Sequence, residues 1–378
     1  MTAIDVRSFR VLVLFGALVP MAAGSTPRNG SGARLPAFSV ERVATMQVAR
    51  SVHTATTLRS GHVLIVGGMA TGGRSVALVE LFDPATNAIE ETASLGTARA
   101  SHTATLLRDG RLLVTGGYHG EYLRSSELYE PATKQFRPAP ALTEPRSGHT
   151  ATLLLDGRVL IVGGVGTGWT FLRSAELYDP ASGRSAPVGS MYVPREGHTA
   201  TLLADGRVLI VGGHNGRRSA MEVYSSAELF DPRTRRFTPA GGLVTARHKH
   251  DAVRLSDGRV LVVGGADRTD RNFFRTTEIF SPTTGTFEAG PSMRSPRYKI
   301  ATTSILLPDG DVLVTSGART AEFLDHESGV FRELPGTLSE AYRFAAATPI
   351  SDGDVFLSGG YADGVRSTAG VWRLRRGR

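Results

Sequence analysis

Residues 146–164 read RSGHTATLLLDGRVLIVGG and residues 195–213 read REGHTATLLADGRVLIVGG, nearly the same nineteen residues 49 positions apart. A chain that writes one segment twice builds one supersecondary unit twice, and such a unit buries its apolar face only against its neighbours. The closing Gly-Gly falls at Gly67-Gly68, Gly116-Gly117, Gly163-Gly164, Gly212-Gly213 and Gly264-Gly265, weakens to Ser316-Gly317, and returns at Gly359-Gly360. The spacings of 49, 47, 49, 52, 52 and 43 residues make seven copies. Each copy holds four stretches of strand length. An alternating Arg-x-x-His-Thr-Ala-Thr leads through a DG turn, a hairpin signal, into an apolar run ending in Gly-Gly. A variable loop follows, then Ser-x-Glu-Leu-Tyr-Asp-Pro, then a segment carrying Phe. Apolar runs without alternation belong to sheets covered on both faces. A period of roughly 40–50 residues with four strands per unit predicts an all-β fold, a seven-bladed β-propeller of four-stranded antiparallel blades.

First strands are expected to begin near Val52, Ser101, Gly148, Gly197, Lys249, Ile300 and Phe344. The seventh repeat ends at VWRLRRGR without a fourth strand, while AFSVERVATM (37–46) precedes the first repeat as an orphan strand. This segment is predicted to complete blade seven, which removes the open edge that invites aggregation.

Over nearly all of residues 38–374 the chain resembles the kelch family. The resemblance rests on the Gly-Gly closing each second strand, on an aromatic about a dozen residues later (Phe82, Tyr129, Tyr178, Phe230, Phe280), and on a second aromatic in the fourth strand (Phe136, Phe237, Phe287, Phe331). Family members often carry Trp at that last position, where this chain has Phe. The resemblance implies that the loops after Gly-Gly and the loops leading into the first strands share one face. Some members of the family are copper-radical oxidases whose site needs a Cys–Tyr crosslink, and this chain has no cysteine. Others are sugar mutarotases using Arg, Glu and His. The fold alone names no function.

Arg is read at one position in all seven repeats (Arg50, Arg99, Arg146, Arg195, Arg247, Arg297, Arg343), and Glu recurs in six (Glu80, Glu127, Glu176, Glu228, Glu278, Glu322). A buried charge needs a partner, so these series are expected to form one internal pair per blade rather than a ring of catalytic acids. Arg343 lacks its Glu, because Gly370 stands in that place; pairing with Glu340, a looser closing blade and a functional anion site are the open readings. The series His53, His102, His149, His198 and His250 reads as hydrogen-bonded structural imidazole between blades, with Ile300 and Ala346 replacing it in blades six and seven. His248 and His250 share one side of a strand by their spacing and are the better metal candidates, but metal sites usually take three or four ligands. No metal or cofactor is therefore expected.

Loops on a rigid scaffold are the usual place of recognition. The candidates for ligand contact are Tyr118, His119 and Tyr122 in blade two, and Trp169 and Phe171 in blade three. Blade four adds His214, Asn215, Arg217, Arg218 and Tyr224, and blade five Asp267, Arg268, Asp270, Arg271, Phe273 and Phe274. Aromatics beside Arg and Asp suit stacking on sugars or anchoring a protein. The expected function is a non-catalytic recognition or scaffold propeller binding a protein or glycan through these loops. The alternative is a sugar-active enzyme, mutarotase- or epimerase-like, which requires acid and base groups converging at the channel mouth.

The formal net charge is +8 and the isoelectric point near 10.1, a balance that favours anionic partners. Of 43 basic residues only Lys134, Lys249 and Lys299 are lysine, and no nucleic-acid-binding module is recognisable, so no specific nucleic-acid partner is expected. The absence of cysteine excludes disulfides, thiolate metal sites and a cysteine nucleophile. At the N-terminus Arg7 and Arg10 precede an apolar run, Val11 to Val19, and then small residues, the layout of a secretory signal peptide too short to span a bilayer. The expected organisation is a signal peptide 1–24, a linker 25–36 with a glycosylation-type Asn29-Gly30-Ser31, the propeller 37–374, and a basic tail 375–378. A monomeric propeller without a membrane span, periplasmic or secreted and not lipid-anchored, follows from that reading.

Overall fold

The computed structural model describes residues 38–350 and 353–376. The signal-peptide and linker expectations, Asn29 included, and the last two residues of the basic tail lie outside the described residues.

Seven four-stranded antiparallel sheets make the propeller. Blade one shows the order: Thr54–Thr57 innermost, then Val63–Val66, Val79–Asp83 and the outer Ala88–Glu91. First strands of adjacent blades touch all the way round the axis. In blade seven, Ala346–Pro349, Val355–Ser358 and Gly370–Arg376 are joined by the N-terminal strand Phe38–Thr45, which pairs antiparallel with Gly370–Arg376. The ring therefore closes as predicted.

Second strands such as Val159–Val162 and Val208–Val211 are wholly buried, because neighbouring blades cover both faces of each sheet. Seven apolar clusters fill the seven junctions between blades, and full burial of each aliphatic side chain contributes about 2 kcal/mol. Third- and fourth-strand aromatics meet across the strand pair, with Tyr129–Phe136 centroids 5.0 Å apart and Phe280–Phe287 4.9 Å apart.

Six of the seven arginines are fully buried and pair with the repeat glutamate of their own blade. In blade five, Arg247 Nη2 lies 2.8 Å from Glu278 Oε1, and Arg247 Nη1 donates to the Gly264 carbonyl at 2.7 Å. Glu278 in turn accepts the Val244 and Thr245 amides at 2.6 and 3.1 Å. The pair thus ties the Gly-Gly turn to the loop leading into the first strand.

Blade seven corrects the sequence alignment by one residue. Phe344 holds the left-handed position (φ 51°) taken by Lys299 (φ 56°) in blade six, so Tyr342 and not Arg343 occupies the arginine site. Trp372 pairs with Leu357 as Glu80 pairs with Ile65, and so occupies the glutamate site. The Tyr342 and Trp372 rings, 5.0 Å apart and both buried, replace the ion pair. Gly370 is where it is because a Cβ there would lie 2.4 Å from the Trp372 ring. Arg343 pairs with Asp363 at 2.9 Å, not with Glu340.

The histidine series staples blades. His102 Nε2 lies 3.1 Å from Thr54 Oγ1 of the preceding blade, His149 Nε2 3.0 Å from Thr103 Oγ1, and His53 Nε2 2.9 Å from Ser358 Oγ of blade seven. Burial and the nearby arginines hold these imidazoles neutral, with His102 and His198 lowered to about 3. The imidazole edge explains the first glycine of the pair: Gly116 has φ +58°, and a Cβ there would lie 2.5 Å from the Arg146 carbonyl and 2.8 Å from His149 Cε1. Where Ile300 replaces the histidine, the preceding blade supplies Asp251, which accepts the Thr303 and Ser304 amides at 2.9 and 2.7 Å.

Candidate functional site

Two residues after each repeat arginine, or after Tyr342, the backbone turns left-handed: Val52, Ser101, Gly148, Gly197, Lys249, Lys299 and Phe344 have φ between 47° and 66°. Strands consequently start two to four residues later than expected, at Thr54, Thr103, Thr150, Thr199, Asp251, Ser304 and Ala346. Amides of six of these turn residues donate to the carbonyl of the preceding blade's turn residue, as in Ser101 to Val52 (3.0 Å), Lys249 to Gly197 (2.8 Å), Lys299 to Lys249 (2.8 Å) and Phe344 to Lys299 (2.8 Å). Val52 closes the circle on Phe344 at 3.1 Å. The turn residues therefore surround the axis. Beside them, in every blade but the sixth, the residue before the turn pairs with the residue after Gly-Gly, as in Ser147 with Val165, Glu196 with His214, His248 with Ala266, and Arg343 with Tyr361.

The chemistry of this mouth is lopsided. Blades one to three present Ser51, Met69, Ala100, Ser147 and Val165, with Tyr118 as the exception. Blades four to seven present Glu196, His214, His248, Lys249, Tyr298, Lys299, Arg343 and Tyr361. His214 Nε2 lies 2.6 Å from Glu196 Oε2, and His248 Nε2 lies 3.1 Å from Asp270 Oδ1 and from the Asp267 carbonyl. The two imidazoles meet edge to face at 4.8 Å, and Lys249 Nζ donates to Asp270 Oδ2 at 2.8 Å.

Burial opposes the charge on Glu196, but the His214 contact and the neighbouring Lys249 outweigh it and hold the carboxyl below its usual range. Asp270 is likewise held low, burial being outweighed by His248 and Lys249. Burial pushes His248 down despite Asp270, and pushes the Tyr361 phenol up despite Arg343 and Lys249. Near neutral pH the mouth thus holds two ionised carboxylates and a neutral His248, whose Nε2 meets the Asp267 carbonyl, which can only accept and so places the proton on that nitrogen. Such pairs can accept a hydroxyl proton or hold one in place.

Some of the sequence candidates come together in three groups, and the others do not. Tyr118 and Tyr122 meet at 5.3 Å, Tyr122 and Trp169 at 5.8 Å, and Arg217 lies over the indole at 3.4 Å, so blades two, three and four share one aromatic run. Phe171 joins the mouth by its edge contact with His214 at 5.3 Å. Phe273 stacks flat on Tyr298 at 3.9 Å. His119 and Arg268 are exposed outside these groups, and Asn215 sits in a two-residue ladder against Glu222. Asp267 braces its own loop, accepting from Thr269 and Asn272, and is not turned to a ligand. Phe274 and Tyr224 lie against the buried Arg247 and Arg195.

His248 and His250 do not cooperate. Lys249 between them is left-handed, so His250 turns into the blade junction toward Thr199 at 3.2 Å while His248 faces the mouth. Among the described residues no three His, Cys, Asp or Glu side chains converge as metal ligands. Sequence reasoning missed Glu196, Lys249, Tyr298, Lys299 and Tyr361. For Glu196, Tyr298, Lys249 and Lys299 the signal was positional: Ser51, Ala100 and Ser147, or Ser101, Gly148 and Gly197, stand at the same turn in other blades.

The fold and mouth define a seven-bladed β-propeller with its variable chemistry on one axial face. The sequence model of the kelch motif matches residues 252–294, which is blade five. That match and the seven-bladed architecture together support the kelch-repeat propeller family. Among solved structures, the chain is similar to one described as a novel fungal alcohol oxidase with catalytic diversity among the AA5 family, in complex with copper. Identity is 16%, the TM-score is 0.69, and the match covers 91% of this chain and 77% of that one, a likeness of fold. No curated protein matches.

Proposed function

We propose that this chain is a non-catalytic recognition propeller that binds a carbohydrate on its loop face. One observation carries the reading: Trp169 keeps 51% of its surface exposed while heading the aromatic run through Tyr122 to Tyr118, capped by Arg217. Its backbone is left-handed (φ 63°) in a short turn that recurs at Val365 (φ 58°). A half-exposed indole on a rigid scaffold suits stacking of a sugar ring on the face that Arg217 leaves open. The N-terminal pattern supports a site of action in the periplasm or outside the cell. A glycan array probed with residues 25–378 tests the reading. Selective binding is expected, with loss of at least about tenfold in a Trp169→Ala, Tyr122→Ala variant. Binding only to envelope proteins in a pull-down would replace the sugar by a protein partner.

The second reading, a sugar-active enzyme at the channel mouth, is favoured by the adjoining Glu196–His214 and Asp270–His248 pairs. Anomeric exchange of candidate sugars, followed by NMR, separates the two. Acceleration by the wild type and its loss in His214→Ala would favour catalysis.

A further inference from the structure

Charges around the mouth do not all find partners. Lys249 is matched by Asp270 at 2.8 Å. Arg343 is matched by Asp363 at 2.9 Å, but Asp363 is 86% exposed, so water screens that pair. Lys299 makes no ion pair among the described residues. It is half-buried, donates to Tyr361 Oη at 2.7 Å, and sits among the rings of Tyr298, Phe344 and Tyr361 at 4.8, 5.6 and 5.4 Å. Ring faces offset part of the cost of removing an ammonium from water, but they do not neutralise it.

We propose that Lys299 is the centre of an anion subsite at the axial mouth, and that it takes the carboxylate of an acidic sugar such as a uronate. Two of the three ammonium protons remain for a ligand. Because Tyr361 accepts from Lys299, its own O–H is left to donate to the same carboxylate. Arg343, over the Tyr298 ring at 5.3 Å, adds positive charge from the side. A ligand carboxylate would supply the counter-charge that Lys299 lacks among the described residues. Glu196 and Asp270, both ionised, are the mouth's acceptors for sugar hydroxyls. The net charge of +8 draws anions toward the protein. The sugar half of this assignment rests on the carbohydrate reading; the anion half does not.

The test is calorimetric titration of residues 25–378 with D-glucuronate, D-glucose and lactate, and with an oligogalacturonide, at low and at physiological salt. Glucuronate is expected to bind at least about tenfold more tightly than glucose, and to weaken as salt rises. Lys299→Met should abolish that preference, Lys299→Arg should retain it, and Tyr361→Phe should weaken glucuronate severalfold without changing charge. An oligogalacturonide that binds far more tightly than glucuronate identifies a polymer chain as the source of the carboxylate, and equal affinity a free sugar acid. Lactate binding as well as glucuronate would leave the anion subsite standing and remove the sugar. Equal affinity for glucose and glucuronate, or unchanged glucuronate binding in a Lys299→Met protein with a wild-type unfolding midpoint, overturns the subsite. No binding of either acid also overturns it, and neutral glycans on the array would then still support the recognition reading.

Discussion

Removing one member of a buried Arg–Glu pair should cost far more than its share of the pair, and blade five allows the amount to be worked out. Arg247 and Glu278 are 0% and 3% exposed in their side chains, with 2.8 Å between Nη2 and Oε1. Charge centres about 4 Å apart attract by about 4 kcal/mol at an effective dielectric near 20. Arg247→Met leaves Glu278 buried with only the Val244 and Thr245 amides; Glu278→Leu leaves a guanidinium with backbone carbonyls and the Thr276 hydroxyl. Each single change is expected to cost about 3–5 kcal/mol. The double variant removes both charges but orphans the same backbone groups, so its cost should fall short of the sum by about 3–4 kcal/mol. Guanidinium unfolding, followed by far-ultraviolet circular dichroism, gives the four free energies. A coupling below about 1 kcal/mol would refute the argument that the pair acts as a unit, and would assign the stability to the Gly264 and loop hydrogen bonds instead.

Two further outcomes follow from the ring. Deleting residues 37–46 strips the outer strand from Gly370–Arg376, exposes that strand's edge and uncovers Val371, so a drop of more than about 10 °C in Tm with concentration-dependent aggregation is expected; an unchanged Tm would refute closure by this strand. The stapling histidines should make the protein acid-sensitive: His102 and His198 have folded values near 3, below the unfolded value of about 6.5, so their contribution is full above pH 6.5 and is lost as pH falls toward 3. Each should cost about 2 kcal/mol at pH 5, and a His102→Gln variant should show a correspondingly shallower loss between pH 6.5 and 4 in denaturant midpoints.

The fold was legible because a repeat multiplies its own evidence: the Gly-Gly, the DG turn and the aliphatic run each recur, and the orphan strand at 37–46 could be assigned by counting. The error in blade seven has a physical cause. Matching letters aligned Arg343 with the other arginines, whereas register is set by the left-handed turn residue, Phe344, and by the Trp372–Leu357 pairing, neither of which the one-letter pattern shows. The aromatic run from Tyr118 to Trp169 could be named from its loops. The charged mouth could not, because Glu196, Lys249 and Lys299 sit inside the scaffold segment, where the eye takes every position for framework.

Those turn positions nonetheless hold a sharper argument about function. A left-handed residue is cheapest as glycine, and blades three and four use Gly148 and Gly197 there. Blades five and six use Lys249 and Lys299, two of the three lysines in the chain, at φ 54° and 56°. An L side chain in that conformation costs roughly 1–2 kcal/mol, against about 0.5–1 kcal/mol of extra chain entropy lost when glycine folds. Replacing Lys299 by glycine should therefore leave the unfolding free energy within about 1 kcal/mol of wild type, the lost Tyr361 hydrogen bond offsetting the relieved strain. Uronate binding should vanish in the same protein. Stability kept and binding lost would identify the lysine as retained for its charge against the preference of its own backbone. A loss of more than about 2 kcal/mol would show instead that Lys299 stabilises the ring by its contacts with Tyr298, Phe344 and Tyr361, and the case for an anion at the axis would lose its main support.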